Sequence, residues 1–151
     1  MRIYLVIMDE TDEARVALRF AGRRAAKTGG AVHMLAVLTP EPFVAFAGVQ
    51  ATIEEEARSR AEVLLTSAAG GILAEGGLMP EISVQQGDGV KIVRDYLAQH
   101  TDIAALVLGA ARDGEPGPLV AHFTGPGLGT LPCPLMIVPG GLSEAEIDRL
   151  S

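Results

Sequence analysis

The sequence IYLVIM, from Ile3 to Met8, leads directly into DETD at residues 9–12 and then into a helical pattern. A continuous apolar run of this length is typical of a strand buried on both faces of a parallel sheet. Asp9 therefore stands at the carboxyl end of a strand, where ligands bind in open α/β sheets. A second apolar run, ALVLG, ends at Gly109 and precedes a loop that holds Arg112, Gly114 and Gly117. Together the two strand ends predict a ligand crevice.

Strand and helix patterns alternate along the whole chain. Further strands are predicted from Ala31 to Leu38, from Glu81 to Gln85 at a sheet edge, and from Leu135 to Val138. A short helical tail is predicted at residues 143–151, where Ser143 and Glu146 stand at capping-box spacing. The alternation predicts one α/β domain over residues 1–151, a three-layer sandwich with an open five-stranded parallel sheet of Rossmann-like or flavodoxin-like type. We expect the strand order 3-2-1-4-5, which places the order reversal between strands one and four.

Caps and apolar spacing set the expected helix boundaries. The first helix is predicted to begin at Asp12, acting as its cap, and to end at Gly29-Gly30. The second is predicted from Ile53, with three glutamates at residues 54–56 near its positive amino end. The connection before it is expected to be an apolar loop that forms a lid or a partner patch, and it carries Phe43, Val44, Phe46 and Val49. The basic residues of the first helix are interpreted as a solvated face: Arg15, Arg19, Arg23, Arg24 and Lys27.

Composition narrows the classes of function. No apolar run reaches the roughly 20 residues that span a bilayer, and no leader pattern opens the chain, so we expect a soluble cytoplasmic protein without membrane contact. The net charge of −7 argues against a nucleic-acid partner. A lone cysteine, Cys133, excludes a disulfide framework. We expect no metal site, because His33 is interpreted as a hydrogen-bonded strand imidazole and His100 as a helix-end cation.

An ordered set of short segments carries a family resemblance. It comprises the strand ending in Asp9, the Gly29-Gly30 helix end, the strand from His33 to Leu38, the Gly87-Asp88 turn, the strand ending in Gly109, and Pro132-Cys133-Pro134. In order, spacing and total length, the set resembles the universal stress protein family, the small α/β proteins related to UspA. The resemblance implies a homodimer paired through the last strand, Leu135 to Val138. It also implies a site for ATP or AMP with Mg in the members that bind nucleotide.

In those members an aspartate after strand one and a valine at the end of strand two lie by the nucleoside, and a glycine motif after strand four carries the phosphates. Asp9, Val37 and Gly109 match the aspartate, the valine and the first glycine. The rest of the motif departs from the family pattern. Arg112 stands near the second glycine position, and Ala121-His122 replaces the final glycine–hydroxyl pair. A register from Gly114 and Gly117 reaches Gly127, but Leu128 follows. The Gly125-Pro126-Gly127 stretch also predicts a short or displaced fourth helix.

Each candidate ligand has a plainer alternative. Asp9 contacts a nucleoside or caps the chain entering helix one. Arg112 binds phosphate through its paired donors or faces solvent. His122 contacts an anion or only packs. Cys133 is interpreted as a small side chain at a strand entrance rather than a redox site.

Three hypotheses for function follow from these residues. The first is a cytoplasmic dimeric regulatory or interaction module of the stress response with weak or absent ATP binding. The second is an ATP- or AMP-binding member in which Arg112 and the Gly114 and Gly117 loop form a nonstandard phosphate site, and the bound nucleotide biases dimer or partner contacts. The third is an enzyme acting on an adenylated substrate, with Asp9 as its base. Motifs of classical catalysis are missing, so we expect that the protein is not an enzyme. We expect slow ATP hydrolysis only if the protein binds nucleotide.

Overall fold

A computed structural model describes residues 1–39 and 47–151. In these ranges five parallel strands form one sheet in the order β3-β2-β1-β4-β5. The strands are β1 (Ile3–Met8), β2 (Ala31–Leu38), β3 (Glu81–Gln86), β4 (Ile103–Ala110) and β5 (Leu135–Pro139). The helices are α1 (Asp12–Thr28), α2 (Ala47–Ala74), α3 (Gly89–Gln99), α4 (Pro118–Thr124) and α5 (Glu144–Leu150), with a 3-10 turn at Leu128–Thr130. The predicted fold class and strand order are confirmed.

The core of the domain lies in two layers, one on each face of the sheet. Tyr4, Val6 and Met8 of β1 pack on the side of α1, α2 and α5. Ile3 and Leu5 pack on the side of α3 and α4. Successive side chains of a strand point to opposite faces, so a strand covered on both sides must be apolar at every position. This double burial explains the uninterrupted apolar run that opens the chain.

Helix α1 begins at Asp12, as predicted, but its cap is Thr11. The Ala14 amide donates to the Thr11 hydroxyl at 3.2 Å, so the Thr11 side chain provides a partner for a free amide of the first turn. The assignment of Asp12 as the cap was wrong. Asp12 lies inside the first turn, where a carboxylate is favoured by the helix dipole, and it accepts from Arg15 at 3.1 Å. The predicted stop is confirmed, because Gly29 closes the helix with φ of 68°.

Helix α2 begins at Ala47, before the predicted start at Ile53. Residues 47–52 are therefore helical rather than part of a loop, and Val49 lies on the helix, half exposed. This stretch contains no proline, and its glycine costs a helix only about 1 kcal/mol. The glutamates at residues 54–56 consequently lie beyond the first turn. The predictions for Phe43, Val44 and Phe46 fall outside the described residues.

The basic face of α1 is less solvated than predicted, because some of its side chains form hydrogen bonds to α5, the carboxyl-terminal helix. Arg19 donates twice to the Asp148 carboxylate, at 3.0 and 2.9 Å, and Lys27 donates to the Asp148 carbonyl at 3.0 Å. The Arg19 hydrogen bond lowers the pKa of Asp148, and the Ser143 backbone amide lowers that of Glu146. The predicted capping box of α5 is confirmed.

The predicted short fourth helix is confirmed, and α3 follows the Gly87-Asp88 turn. Helix α3 is capped by Asp88 and buries Ile92, Val93, Tyr96 and Leu97. Helix α4 is short, at seven residues. No helix within residues 1–39 and 47–151 has the length and apolar character needed to cross a membrane.

Candidate functional site

The crevice lies where the order of the sheet reverses, between the carboxyl ends of β1 and β4. Its cavity of about 210 Å³ is lined by Ile7, Asp9, Thr11, Glu13, Ala14, Leu108, Gly109, Pro116, Gly117, Pro118, Leu119 and Val120. A second cavity of about 240 Å³ lies on the other side of Asp9 and includes Val37 and Arg60. The structure thus gathers Asp9, Val37, Gly109 and Gly117 around adjoining spaces.

Asp9 orders the turn that leads into α1. Its Oδ1 accepts the Thr11 backbone amide at 2.8 Å and also the Thr11 hydroxyl. These bonds hold Thr11 in place to cap the helix, so Asp9 has a structural role of its own. Both bonds use Oδ1, and among the described residues Oδ2 is left to accept from a ligand hydroxyl. The geometry therefore accommodates both interpretations of Asp9.

Gly109 lets the first turn of α1 approach the sheet. A Cβ at position 109 would lie 2.1 Å from the Glu13 carbonyl oxygen and 3.1 Å from the Ala14 nitrogen. Gly140, next to β5, is similar, because a Cβ there would lie 2.8 Å from the Glu13 Cβ. Backbone packing alone thus requires glycine at position 109. Gly109 also lines the crevice, so its other side remains open to the cavity.

Two residues on the phosphate side of the crevice are prolines. Gly117, with φ of 116°, precedes α4, and Pro118 occupies the first helical position. Pro116 and Pro118 carry no amide hydrogen, so neither can donate to a phosphate. The carboxylate-bearing residues Asp9 and Glu13 line the same cavity, and no described lining residue is lysine, arginine or histidine.

The other predicted ligands lie outside this cavity. Arg112 is exposed, and its side chain lies over Gly141, with Cγ 3.4 Å from the point a Cβ would occupy there. Gly114, with φ of 75°, turns the exposed loop. His122 packs edge-on against Phe123 and lies 3.4 Å from the Arg94 guanidinium. The structure does not bring Arg112, Gly114 or His122 to Asp9, and their binding role stays a prediction.

A second polar cluster, which the sequence analysis missed, lies at the amino ends of the strands. His33 of β2 pairs in register with Glu81 of β3, and His100 follows α3. One ligand atom from each of these three residues lies within 4.8 Å of the other two. Burial, with smaller contributions from Glu81 and Asp102, raises the pKa of the adjacent Tyr96 to about 12. The strand register, which sequence alone does not fix, was the missing signal.

The doubly wound sheet with a crevice at its switch point defines an open α/β protein of the doubly wound class. The model of the universal stress protein family matches residues 1–139. The chain therefore belongs to the universal stress protein family, as the resemblance predicted.

Solved structures of the family share the fold. The universal stress protein UspA from Lactobacillus plantarum superposes with a TM-score of 0.77 at 17% identity, covering 91% of this chain and 97% of that one. A universal stress protein from Archaeoglobus fulgidus in complex with dAMP gives 0.57 at 22%, covering 91% and 97%. A universal stress protein family protein from Arabidopsis thaliana with AMP bound gives 0.63 at 13%, covering 92% of each chain. A search of curated protein sequences found no significant match.

Proposed function

We propose that this protein acts in the cytoplasm as a dimeric regulatory or interaction module of the stress response, with weak or no ATP binding. The chemistry of the crevice carries the proposal. Glu13 and Asp9 line it, and no cationic side chain lines it among the described residues. A triphosphate brought there would meet like charges, which oppose binding most strongly where water is partly excluded.

The backbone of the crevice supports the same conclusion. Phosphate sites in this kind of fold depend on glycines that let amides approach phosphate oxygens. Here the first turn of α1 packs directly against Gly109, since its Glu13 carbonyl would meet an added Cβ at 2.1 Å, so the fold alone requires this glycine. Two prolines in the lining, Pro116 and Pro118, remove amide donors from the opposite wall.

Isothermal titration with Mg-ATP tests the proposal. We expect no saturable heat below about 1 mM nucleotide with either the natural chain or Asp9→Ala. A dissociation constant near or below about 1 μM that is lost in Asp9→Ala would overturn it. Circular dichroism of the variant checks that the Thr11 turn and α1 still fold.

A nucleoside monophosphate is the second candidate ligand. Relatives with this fold are described in complex with dAMP and with AMP bound. A monophosphate brings less charge to the acidic wall, and the second cavity offers Arg60 beside Asp9 and Val37. Under this alternative AMP would bind more tightly than ATP, and Arg60→Gln would weaken AMP binding. Equal and negligible heats of binding for AMP and ATP would exclude a nucleotide-dependent switch.

We further propose that the dimer forms through β5. This strand is an edge of the sheet, and its residues from Leu135 to Val138 are all apolar. An unpaired apolar edge favours association with a second copy. Ile137→Lys should shift the protein from dimer to monomer in analytical ultracentrifugation. Ile82→Lys, at the opposite edge strand β3, is the matched control and should leave the dimer unchanged; a dimer that survives Ile137→Lys would rule this interface out.

We propose that the protein acts by binding partner proteins rather than by catalysis. Apolar side chains lie exposed along α2, including Val49 and Val63, and such surface favours protein contact. Burial raises the pKa of the Cys133 thiol, which disfavours the reactive thiolate. We expect ATP hydrolysis no faster than in buffer, and a rate above that level which Asp9→Ala abolishes would contradict this assignment.

A further inference from the structure

We propose that His33, Glu81 and His100 bind a divalent transition-metal ion of the zinc class at the amino end of the sheet. The three residues come from β2, β3 and the end of α3, which adjoin there. Val37 of the crevice lies four residues beyond His33, or about 13 Å along the strand. The inference is therefore independent of any nucleotide.

The distances suit a metal centre after a small adjustment. His33 Nε2 lies 3.6 Å from a Glu81 carboxylate oxygen, close to the separation of two ligands around a tetrahedral ion with bonds of about 2.0–2.2 Å. All three ligand atoms lie within 4.8 Å of one another, and a small inward movement of Glu81 would bring them to coordination distance. The Glu81 side chain is 71% exposed, which gives it the freedom to do so and gives the ion a path from solvent.

The second ring nitrogen of each histidine is already engaged. His33 Nδ1 lies 2.8 Å from the Tyr96 hydroxyl, and His100 Nδ1 lies 2.9 Å from the Tyr96 carbonyl oxygen. The carbonyl can only accept, so a neutral His100 ring carries its proton on Nδ1, and its Nε2 then presents a lone pair. Metal-bound histidines commonly have their other nitrogen held in this way, since it fixes the tautomer and the ring orientation.

Packing holds the imidazoles rigidly. The His100 ring stacks on Tyr96 with centroids 3.9 Å apart, and the His33 ring meets His100 edge-on at 5.6 Å. His33 is 6% exposed, within the sheet. Rigid imidazoles lose little freedom on binding an ion, so most of the coordination energy is retained.

The donor set selects the class of ion. Two imidazoles and one carboxylate suit zinc, whereas calcium and magnesium prefer oxygen ligands alone. Three protein ligands leave a fourth position for water. Such an ion would join β2, β3 and the α3–β4 connection, and so fasten the edge of the sheet.

The test uses the full-length chain without an affinity tag, stripped with a chelator and titrated with Zn²⁺ against a chromophoric competitor at neutral pH. We expect one ion per chain with a dissociation constant of about 1 μM or lower. Glu81→Gln and His100→Gln should each weaken binding more than about 100-fold, because even residues that only orient ligands contribute 10- to 100-fold. His122→Gln, which changes the histidine outside the cluster, is the matched control and should bind as the natural chain does.

A second readout identifies the ligands directly. Co²⁺ in the site should give the visible absorption of a four-coordinate ion, displaced by Zn²⁺ and absent in His100→Gln. Tyr96→Phe should weaken Zn²⁺ binding about tenfold, through loss of the hydroxyl beside His33. The proposal is overturned if the folded natural chain binds no Zn²⁺ at about 1 mM, or if Glu81→Gln and His100→Gln bind as tightly as it does.

Discussion

The two ends of the sheet differ in what their side chains offer a ligand. At the carboxyl ends of β1 and β4 the topology forms a crevice, yet two acidic residues and two prolines line it, and the first turn of α1 packs against Gly109. At the amino ends, where open α/β folds do not usually bind ligands, His33, Glu81 and His100 converge. Topology therefore sets where a cavity forms, and the side chains at that cavity decide its chemistry.

The largest expected effect is a loss of stability in Gly109→Ala, which tests whether packing requires glycine at this position. Gly109→Ala should destabilise the fold by about 3 kcal/mol or more, since its Cβ would meet the Glu13 carbonyl at 2.1 Å. Urea unfolding measures the change. Gly71→Ala in α2, where an added Cβ meets nothing within 4 Å, is the control and should stabilise by about 0.5–1 kcal/mol. A Gly109→Ala protein of natural stability would show that α1 does not pack as described.

Alkaline solution should weaken the amino end of the sheet. The folded chain raises the Tyr96 pKa from 10.0 to about 12, so its contribution is complete below pH 10 and is lost as pH rises through about 12. Urea unfolding from pH 9 upward should show the natural chain losing stability more steeply than Tyr96→Phe, which has no phenol to ionise. Parallel curves for the two proteins would contradict the assigned environment of Tyr96.

Removing the same hydroxyl at neutral pH should have a moderate effect. Tyr96→Phe should cost about 1 kcal/mol, because His33 Nδ1 loses its partner at 2.8 Å while the ring packing is kept. Thermal unfolding measures the loss. Tyr4→Phe, in the opposite core layer, is the comparison, and an equal loss there would show that the hydrogen bond to His33 contributes nothing specific.

The smallest expected effect concerns charge in the crevice. Glu13→Gln removes one of its carboxylates and should strengthen ATP binding about threefold, without reaching the micromolar range. Glu144→Gln, at the start of α5, changes the net charge equally and should leave ATP binding unaltered. If Glu13→Gln weakened ATP binding instead, the carboxylate would be contributing to the nucleotide site.

The fold was predictable because its signals are local and repeated along the chain. Continuous apolar runs indicated the buried strands, and Gly29 marked the end of α1 because its positive φ favours glycine. The start of α2 was missed because residues 47–52 lack a strong start or stop signal. Thr11 was missed as a cap because Thr11 and Asp12 stand side by side, and only geometry distinguishes them.

The candidate site was less predictable, because it depends on contacts between distant parts of the chain. The family pattern correctly placed Asp9 and Gly109 at neighbouring strand ends, because β1 and β4 are adjacent in the strand order. Sequence could not show that Arg112 lies over Gly141 instead. It also could not fix the register that sets His33 beside Glu81, since a shift by one residue turns a side chain to the opposite face.

The most direct test of the account is a ¹⁵N–¹H correlation spectrum of the labelled protein titrated with Mg-ATP. The account predicts that the amides of Thr11, Gly109, Gly117 and Leu119 keep their shifts up to about 1 mM ATP. Saturable shifts confined to these amides at micromolar ATP would contradict it. That result would identify the crevice as a working nucleotide site and the protein as a nucleotide-dependent switch.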